Sequence, residues 1–268
     1  MRIKPQSLML LLLALFLHTC ESQRIPPISL TELIDSSQYC FDDFTIVGIL
    51  IDVSGSFNQE QEMGAFAGQN YFELACDEVK AYVTESASRT CDCIIVREIQ
   101  ERSYPEKAFI AVLDYSDSTY TLPLIRASNP FAIKQKKNKL RDLVNDRNIK
   151  QNKKLDLFRN RIDEFKEVRS KRSSGKTDIV NAIKSLSQDM NNSRYETYSK
   201  RIIIYSDFED NITDIRTSKL DLTGFQIEGH YVSKNTHMTA SAYEGMLNNW
   251  HNYLICDSLI FFAPEISI

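Results

Sequence analysis

Two strand-like runs of mainly apolar residues, each leading to an aspartate, constrain the fold of this sequence more than any other feature. The run over residues 44–51 ends at Asp52, and the run over residues 201–205 leads through Ser206 to Asp207. Such runs are typical of strands that are covered on both faces, as in a parallel sheet. Helical segments alternate with the strand-like ones. We therefore predict an α/β fold with a doubly wound, Rossmann-like, mostly parallel sheet and helices on both faces.

The spacing of the apolar residues predicts the individual elements. Helices are predicted over residues 59–87, 133–170, 177–190 and 240–253. Strands are predicted over residues 44–51, 91–99, 107–115, 120–125, 201–205, 222–232 and 259–262. The segment 134–176 is strongly basic, although the whole chain has a formal net charge of -4. It lacks the interleaved aromatic residues of a single-strand binder, so we expect no nucleic-acid partner.

Oxygen-bearing side chains are predicted to meet at one edge of the sheet. Ligands of open α/β sheets bind outside the carboxyl ends of the strands. Ser54 and Ser56 follow Asp52 at spacings of two and four residues, Asp207 follows the later strand, and Thr177 lies in a loop that enters a helix. Two carboxylates and three hydroxyls suit a small hard cation such as Mg²⁺.

The same residues carry a family resemblance. The sequence Asp-Val-Ser-Gly-Ser at residues 52–56 resembles the DxSxS signature of von Willebrand factor type A domains. Residues 174–179 resemble the family's Gly-Thr-Asp loop, and residues 202–207 resemble its later strand that ends in an aspartate. The three pieces follow the family's order over roughly residues 43–264.

This resemblance implies a metal-ion-dependent adhesion site that holds Mg²⁺, Mn²⁺ or Ca²⁺. Ser54, Ser56 and Thr177 would be direct ligands, while Asp52 and Asp207 would hold the ion directly or through water. The ion would keep an open position for an Asp or Glu carboxylate of a partner protein. Neutral hydroxyl ligands preserve the positive charge that attracts this carboxylate. The implied function is protein–protein interaction, not catalysis.

Other interpretations of these residues have weaker support. Gly175, Lys176 and Thr177 could end a P-loop, but Ser170 stands where that motif needs its first glycine. Asp52 could be the nucleophile of a metal-dependent hydrolase or phosphatase on a similar fold, but Ser54 stands where a second aspartate is usual. A structural domain with a vestigial site is the remaining alternative.

The amino terminus predicts export. Arg2 and Lys4 precede an apolar run over residues 8–17, which fits a signal peptide. Residues 17–20, Leu-His-Thr-Cys, resemble a bacterial lipobox, which implies a lipid on Cys20. We expect a membrane-anchored lipoprotein of the cell envelope, or alternatively a soluble secreted or periplasmic protein. The predicted organisation is a signal peptide over residues 1–20, a tether over 21–42, and a von Willebrand type A-like domain over 43–268 with a basic helical extension at about 131–172.

The six cysteines are predicted to form one or two structural disulfides at most, and no metal site. They lie at positions 20, 40, 76, 91, 93 and 256. A zinc site would need more thiols or histidines near one another, and the four histidines are scattered along the chain.

Overall fold

The computed structural model describes residues 44–60, 68–86, 93–101, 103, 109–115, 130–210, 212–213, 215, 219–232 and 238–263. The predicted signal peptide with Cys20, the predicted tether and the predicted strand 120–125 lie outside the described residues. Within the described ranges, no helix is long and apolar enough to cross a membrane.

The described elements alternate between strands and helices along most of the chain. The strands are β1 Thr45–Asp52, β2 Cys93–Ile99, β3 Phe109–Asp114, β4 Ser199–Tyr205, β5 Leu220–His230 and β6 Leu254–Phe261. The helices are α1 Tyr71–Ser86, α2 Pro130–Arg169, α3 Ile179–Met190 and α4 Ala240–Tyr253, with a short 3-10 helix at Ser193–Tyr195.

The strands form one mixed sheet in the order β3-β2-β1-β4-β5-β6. The β2–β3 pair is antiparallel, and all the other neighbours run parallel. The prediction of an α/β fold with a mostly parallel sheet is therefore confirmed. Neighbours β1 and β4 sit at the centre, and the chain continues from β1 to one side of the sheet and from β4 to the other.

Alternate residues of the central strands point into two separate cores. Val47, Ile49 and Ile51 of β1 belong to one core with apolar residues of α1 and α2. Ile46 and Leu50 belong to the other core with residues of α3 and α4. Both faces of β1 are thus covered, which is why its sequence is apolar without interruption.

Helix α1 begins at Tyr71, whereas the predicted helix begins at residue 59; residues 61–67 of that prediction lie outside the described residues. Its first turn is capped by Asn70, whose side-chain oxygen accepts hydrogen bonds from the backbone N–H groups of Phe72 at 2.9 Å and Glu73 at 3.3 Å. Gly68 just before it has φ of 77°, a left-handed conformation that ends helical geometry. Glu60 instead forms an isolated bridge with Asn70.

Strand β6 begins earlier than its predicted start at residue 259. Helix α4 ends at Tyr253 and β6 starts at the next residue, Leu254, which is buried and lies opposite Leu220 of β5. This pairing with β5, which is not visible in the sequence of β6 alone, extends the strand. The remaining described elements differ from their predicted bounds by three residues or fewer.

Helix α2 has 40 residues, and its two halves differ in how far their side chains are buried. Its C-terminal half packs in the core through Leu155, Phe158 and Ile162, which are at most 2% exposed. Ion pairs also join it to α1, with Lys80 to Asp163 at 2.7 Å and Lys166 to Asp77 at 2.9 Å. The described side chains over residues 134–150 are mostly exposed. Part of the basic segment 134–176 therefore belongs to a helix that packs against the core.

The described cysteines include two free thiols, Cys76 and Cys256. The Cys93 thiol donates a hydrogen bond to the Tyr195 hydroxyl at 3.4 Å. Cys40 and Cys91, like Cys20, lie outside the described residues.

Candidate functional site

The parallel pairing of β1 with β4 brings their carboxyl ends to the same edge of the sheet. Ile51 lies opposite Tyr205, so Asp52 and Ser206 follow at the same level. Because the chain leaves these two strands toward opposite sides of the sheet, this edge is a topological switch point. Ligands of open α/β sheets bind at such points.

Asp52 is buried completely, and both of its carboxylate oxygens accept hydrogen bonds. The backbone N–H of Ser54 donates to Oδ1 at 2.7 Å. The Ser206 hydroxyl, itself fully buried, donates to Oδ2 at 2.7 Å. These two bonds, one from each central strand end, fix the orientation of the Asp52 carboxylate.

A row of oxygen atoms continues from Ser54 to Asp207. The hydroxyls of Ser54 and Ser56 are 3.2 Å apart, and the Ser56 hydroxyl donates to Asp207 Oδ2 at 2.7 Å. The other oxygen of Asp207 accepts from the backbone N–H of Glu209 at 3.1 Å. Ser54 is buried, whereas Ser56 is exposed. The row therefore begins in the interior at Ser54 and reaches the surface at Ser56.

The loop that carries Asp207 is held in a strained conformation. Phe208 has φ of 63°, a left-handed value that is uncommon for a bulky residue. Its backbone N–H donates to the Ser206 hydroxyl at 3.0 Å, and its carbonyl accepts from the indole N–H of Trp250 at 3.1 Å. A Cβ on Gly229 would lie 2.6 Å from the Phe208 ring, so a glycine is needed there. These contacts fix the position of Asp207.

Thr177 lies in the loop before α3, which is joined to the loop after β1. The Ser174 N–H donates to the Val53 carbonyl at 2.7 Å, and the Gly55 N–H donates to the Ser174 carbonyl at 3.0 Å. The Thr177 side chain is 1% exposed. The hydrogen bonds of the described residues join Asp52, Ser54, Ser56 and Asp207 within the two strand-end loops, and Thr177 is connected to them through its loop backbone.

No Lys or Arg of the described residues forms an ion pair with either Asp52 or Asp207. Burial and, to a lesser degree, the nearby Asp207 carboxylate together raise the pKa of Asp52 to about 7, while the hydrogen bonds from Ser206 and Ser54 oppose the shift. Burial also raises the pKa of Asp207, against the hydrogen bond from Ser56. Among the described residues, these two acids are thus close together without a basic partner, which makes their ionised forms costly.

This set of atoms fits a hard divalent cation better than a soft one. In the described part of the chain, no group of three or more His, Cys, Asp or Glu side chains could hold a metal ion. An ion at this edge would therefore be held by two carboxylates together with neutral oxygens. Mg²⁺ is bound in proteins by one or two carboxylates and keeps several waters, which matches this composition.

Two polar residues of this region were not among the sequence-predicted site residues. Ser206 positions Asp52, and its signal was its place between an apolar strand and Asp207. Asp210 accepts hydrogen bonds from the backbone N–H groups of Val180 at 3.1 Å and of Ile212 and Thr213 at 2.8 Å. It therefore links the loop after β4 to the first turn of α3, a contact that no local sequence pattern indicates.

The comparisons with known proteins add little to this geometry. No protein-family model matches the sequence, and no curated protein matches it. Among solved structures, the chain is similar to proximal thread matrix protein 1 from the mussel byssus, with 12% identity and a TM-score of 0.35. That match covers 83% of this chain and 44% of the other chain. A similarity of this size carries no functional argument.

Proposed function

We propose that this protein is an exported binding module that holds a divalent metal ion between the loops after β1 and β4 and uses it to bind a partner protein. The observation that supports this most is the pair of carboxylates, Asp52 and Asp207, joined through the Ser54 and Ser56 hydroxyls and without a basic partner among the described residues. A buried charge without a partner is costly, and a bound cation would relieve that cost.

The proposed fold is the doubly wound, Rossmann-like arrangement of von Willebrand type A domains. Supporting this, β1 and β4 are central neighbours, β3 is an antiparallel edge strand, and apolar cores lie on both faces of β1. The motifs at residues 52–56 and 202–207 lie at the carboxyl ends of β1 and β4, and the motif at residues 174–179 leads into α3.

In this proposal Ser54, Ser56 and Thr177 bind Mg²⁺, or Mn²⁺ or Ca²⁺ in its place. Asp52 and Asp207 hold the ion directly or through water. The ion supplies a Lewis-acidic position that accepts an Asp or Glu carboxylate of the partner. The exposure of Ser56 supports access from solvent at this end of the row.

A binding role is favoured over a hydrolytic one by the surroundings of Asp52. Its side chain has 0% exposure, and both oxygens are engaged by Ser54 and Ser206. A nucleophilic carboxylate must reach its substrate with a free oxygen atom. Asp52 is instead arranged to stabilise the loop and to attract a cation.

The direct test is calorimetric titration of Mg²⁺ and Mn²⁺ into the purified chain. We expect saturable one-site binding that is lost in Asp52→Ala/Asp207→Ala and strongly weakened in Thr177→Ala. Asp156→Ala is the matched control, because Asp156 is exposed on α2 and about 20 Å along the helix from its C-terminal end. Equal binding by the wild type and the double variant would refute the metal site.

The anchoring part of the proposal is tested separately. A lipid on Cys20 would hold the protein on a membrane of the cell envelope, since several acyl chains together bind a bilayer firmly. Cys20→Ser should then move the protein from the membrane fraction to the soluble fraction, whereas Cys256→Ser should not. Unchanged membrane association of Cys20→Ser would exclude this anchor.

A further inference from the structure

Two basic side chains flank Ser174, the residue that joins the loop after α2 to the loop after β1. Arg172 lies two residues before Ser174, Lys176 lies two residues after it, and both are exposed. The backbone of Ser174 is bonded to Val53 at 2.7 Å and to Gly55 at 3.0 Å. Both basic residues are therefore held beside the loop that carries Ser54 and Ser56.

The short distance along the chain keeps both basic residues close to Ser174. Two residues of extended chain span at most about 7 Å, so the Cα atoms of Arg172 and Lys176 lie within that distance of Ser174. The Debye length at physiological ionic strength is about 8 Å. A charged group that binds beside Ser174 therefore lies within about one Debye length of the backbone at both positions.

The other basic residues of this loop are already paired. Arg169 forms a two-pronged ion pair with Glu98, at 2.7 and 2.8 Å, and Lys171 pairs with Glu167 at 3.1 Å. Among the described residues, Arg172 and Lys176 form no ion pair.

Acidic residues also border the site, and they differ in their hydrogen bonds. The backbone N–H of the exposed Glu101 donates to the Ser174 hydroxyl at 3.2 Å, which brings one negative charge to this side. Asp210, on the opposite side, is engaged by three backbone N–H groups. The loop 172–176 therefore carries two positive charges against the one negative charge of Glu101, and it lies beside the loop that carries Ser54 and Ser56.

Positive side chains beside a cation site oppose cation binding, so their placement favours an anion that arrives after the ion. We infer that the partner presents an acidic segment, in which one carboxylate meets the metal ion and a neighbouring carboxylate binds Arg172 and Lys176. Charges at the rim of an interface set the rate and specificity of encounter in this way. This inference rests on the proposed function and names the class of partner.

A fluorescein-labelled octaglutamate peptide is a suitable probe, measured by anisotropy with Mg²⁺ and with chelator. We expect Mg²⁺-dependent binding that weakens roughly 3- to 10-fold in Arg172→Gln/Lys176→Gln, the size expected for two exposed ion pairs. The dependence of affinity on salt should also become shallower in this variant. Its Mg²⁺ affinity, measured by calorimetry without peptide, should be unchanged or slightly higher.

The matched control is Lys150→Gln/Lys153→Gln, which removes the same charge from exposed positions on α2. Lys153 is about 24 Å along the helix from its C-terminal end, beyond two Debye lengths. Equal loss of peptide binding in both double variants would overturn the inference, because net charge alone would then explain it. A wild-type chain that binds Mg²⁺ but not the peptide would also overturn the inference. Absence of Mg²⁺ binding would instead refute the proposed function itself.

Discussion

Acids at neighbouring strand ends of the sheet have opposite surroundings. At the end of β2, Glu98 is 4% exposed, and the Arg169 guanidinium binds both of its oxygens. At the ends of β1 and β4, Asp52 and Asp207 have hydroxyl and N–H partners but no basic partner among the described residues. The first arrangement pairs the acid with a base of the chain, whereas in the second the described residues supply only hydrogen bonds.

This difference separates an acid that stabilises the fold through an ion pair from two acids that the proposed function assigns to a metal ion. The Glu98–Arg169 pair fixes the end of α2, whose last carbonyl also accepts from the Asn58 side chain at 2.7 Å. Asp52 and Asp207, by contrast, repel each other. Under the proposed function, this repulsion is the stability cost of the metal site. The predictions below test the contrast, from the largest expected effect to the smallest.

The first prediction concerns pH in the presence of chelator. The pKa of Asp52 is raised to about 7 in the folded chain from the ordinary 3.8, so the folded state holds a proton that the unfolded state has released. The stabilising contribution is complete below pH 4 and is lost as the pH rises to about 7, with a slope of about 1.4 kcal/mol per pH unit. Urea unfolding from pH 4.5 to 7.5 should show this slope as a difference between the wild type and Asp52→Asn.

The control for the pH experiment is Asp156→Asn, which removes an exposed carboxylate. Its stability should run parallel to that of the wild type. Parallel curves for the wild type and Asp52→Asn would contradict the raised pKa.

The second prediction concerns the effect of Mg²⁺ on unfolding. A ligand at 100 times its dissociation constant stabilises the folded state by about 2.7 kcal/mol. At that Mg²⁺ concentration, the free energy of unfolding of the wild type should rise by this amount, whereas that of Asp207→Asn should hardly change. Without Mg²⁺, Asp207→Asn should be at least as stable as the wild type, because one of two repelling carboxylates is removed. Equal Mg²⁺ stabilisation of both proteins would show that Asp207 does not hold the ion.

The third prediction concerns the ion pair between Glu98 and Arg169. Arg169→Met should lower the free energy of unfolding by about 2 kcal/mol, because it leaves Glu98 buried without a positive partner. The additional change Glu98→Gln should recover most of this loss. Arg161→Met is the control, since Arg161 and its partner Glu164 are both about two-thirds exposed, at 68% and 67%. If Arg169→Met destabilises no more than Arg161→Met, the contrast between the two strand ends is wrong.

The fourth prediction concerns Ser206, which orients Asp52 without being a predicted ligand. Groups that orient metal ligands commonly change affinity 10- to 100-fold when removed. We expect Ser206→Ala to weaken Mg²⁺ binding by about tenfold, and Ser206→Thr to retain most of the affinity because it keeps the hydroxyl. Calorimetry on both variants measures this. Equal weakening in both would indicate a packing effect, and not a loss of the hydrogen bond.

Much of the fold could be predicted because burial is written into the pattern of apolar residues. The run before Asp52 is apolar on both sides of the strand since two cores enclose it. The start of α1 could not be predicted in this way. Gly68 and Asn70 lie just before α1, where Gly68 has a left-handed backbone and Asn70 caps the first turn, although the predicted helix runs through both positions. The start of β6 at Leu254 depends on pairing with β5, which is a non-local contact.

The sequence by itself determined which chemistry the strand ends carry, because residue types such as Asp52, Ser54 and Ser56 are local information. It also determined the alternation of strands and helices. Only the tertiary structure decided that β4 pairs with β1, which puts Ser206 and Asp207 beside Asp52. It likewise decided that Glu98 meets Arg169 while Asp52 meets no basic residue of the described chain. Hydrogen bonds and ion pairs form between residues 71 to 154 positions apart, and only folding sets those distances.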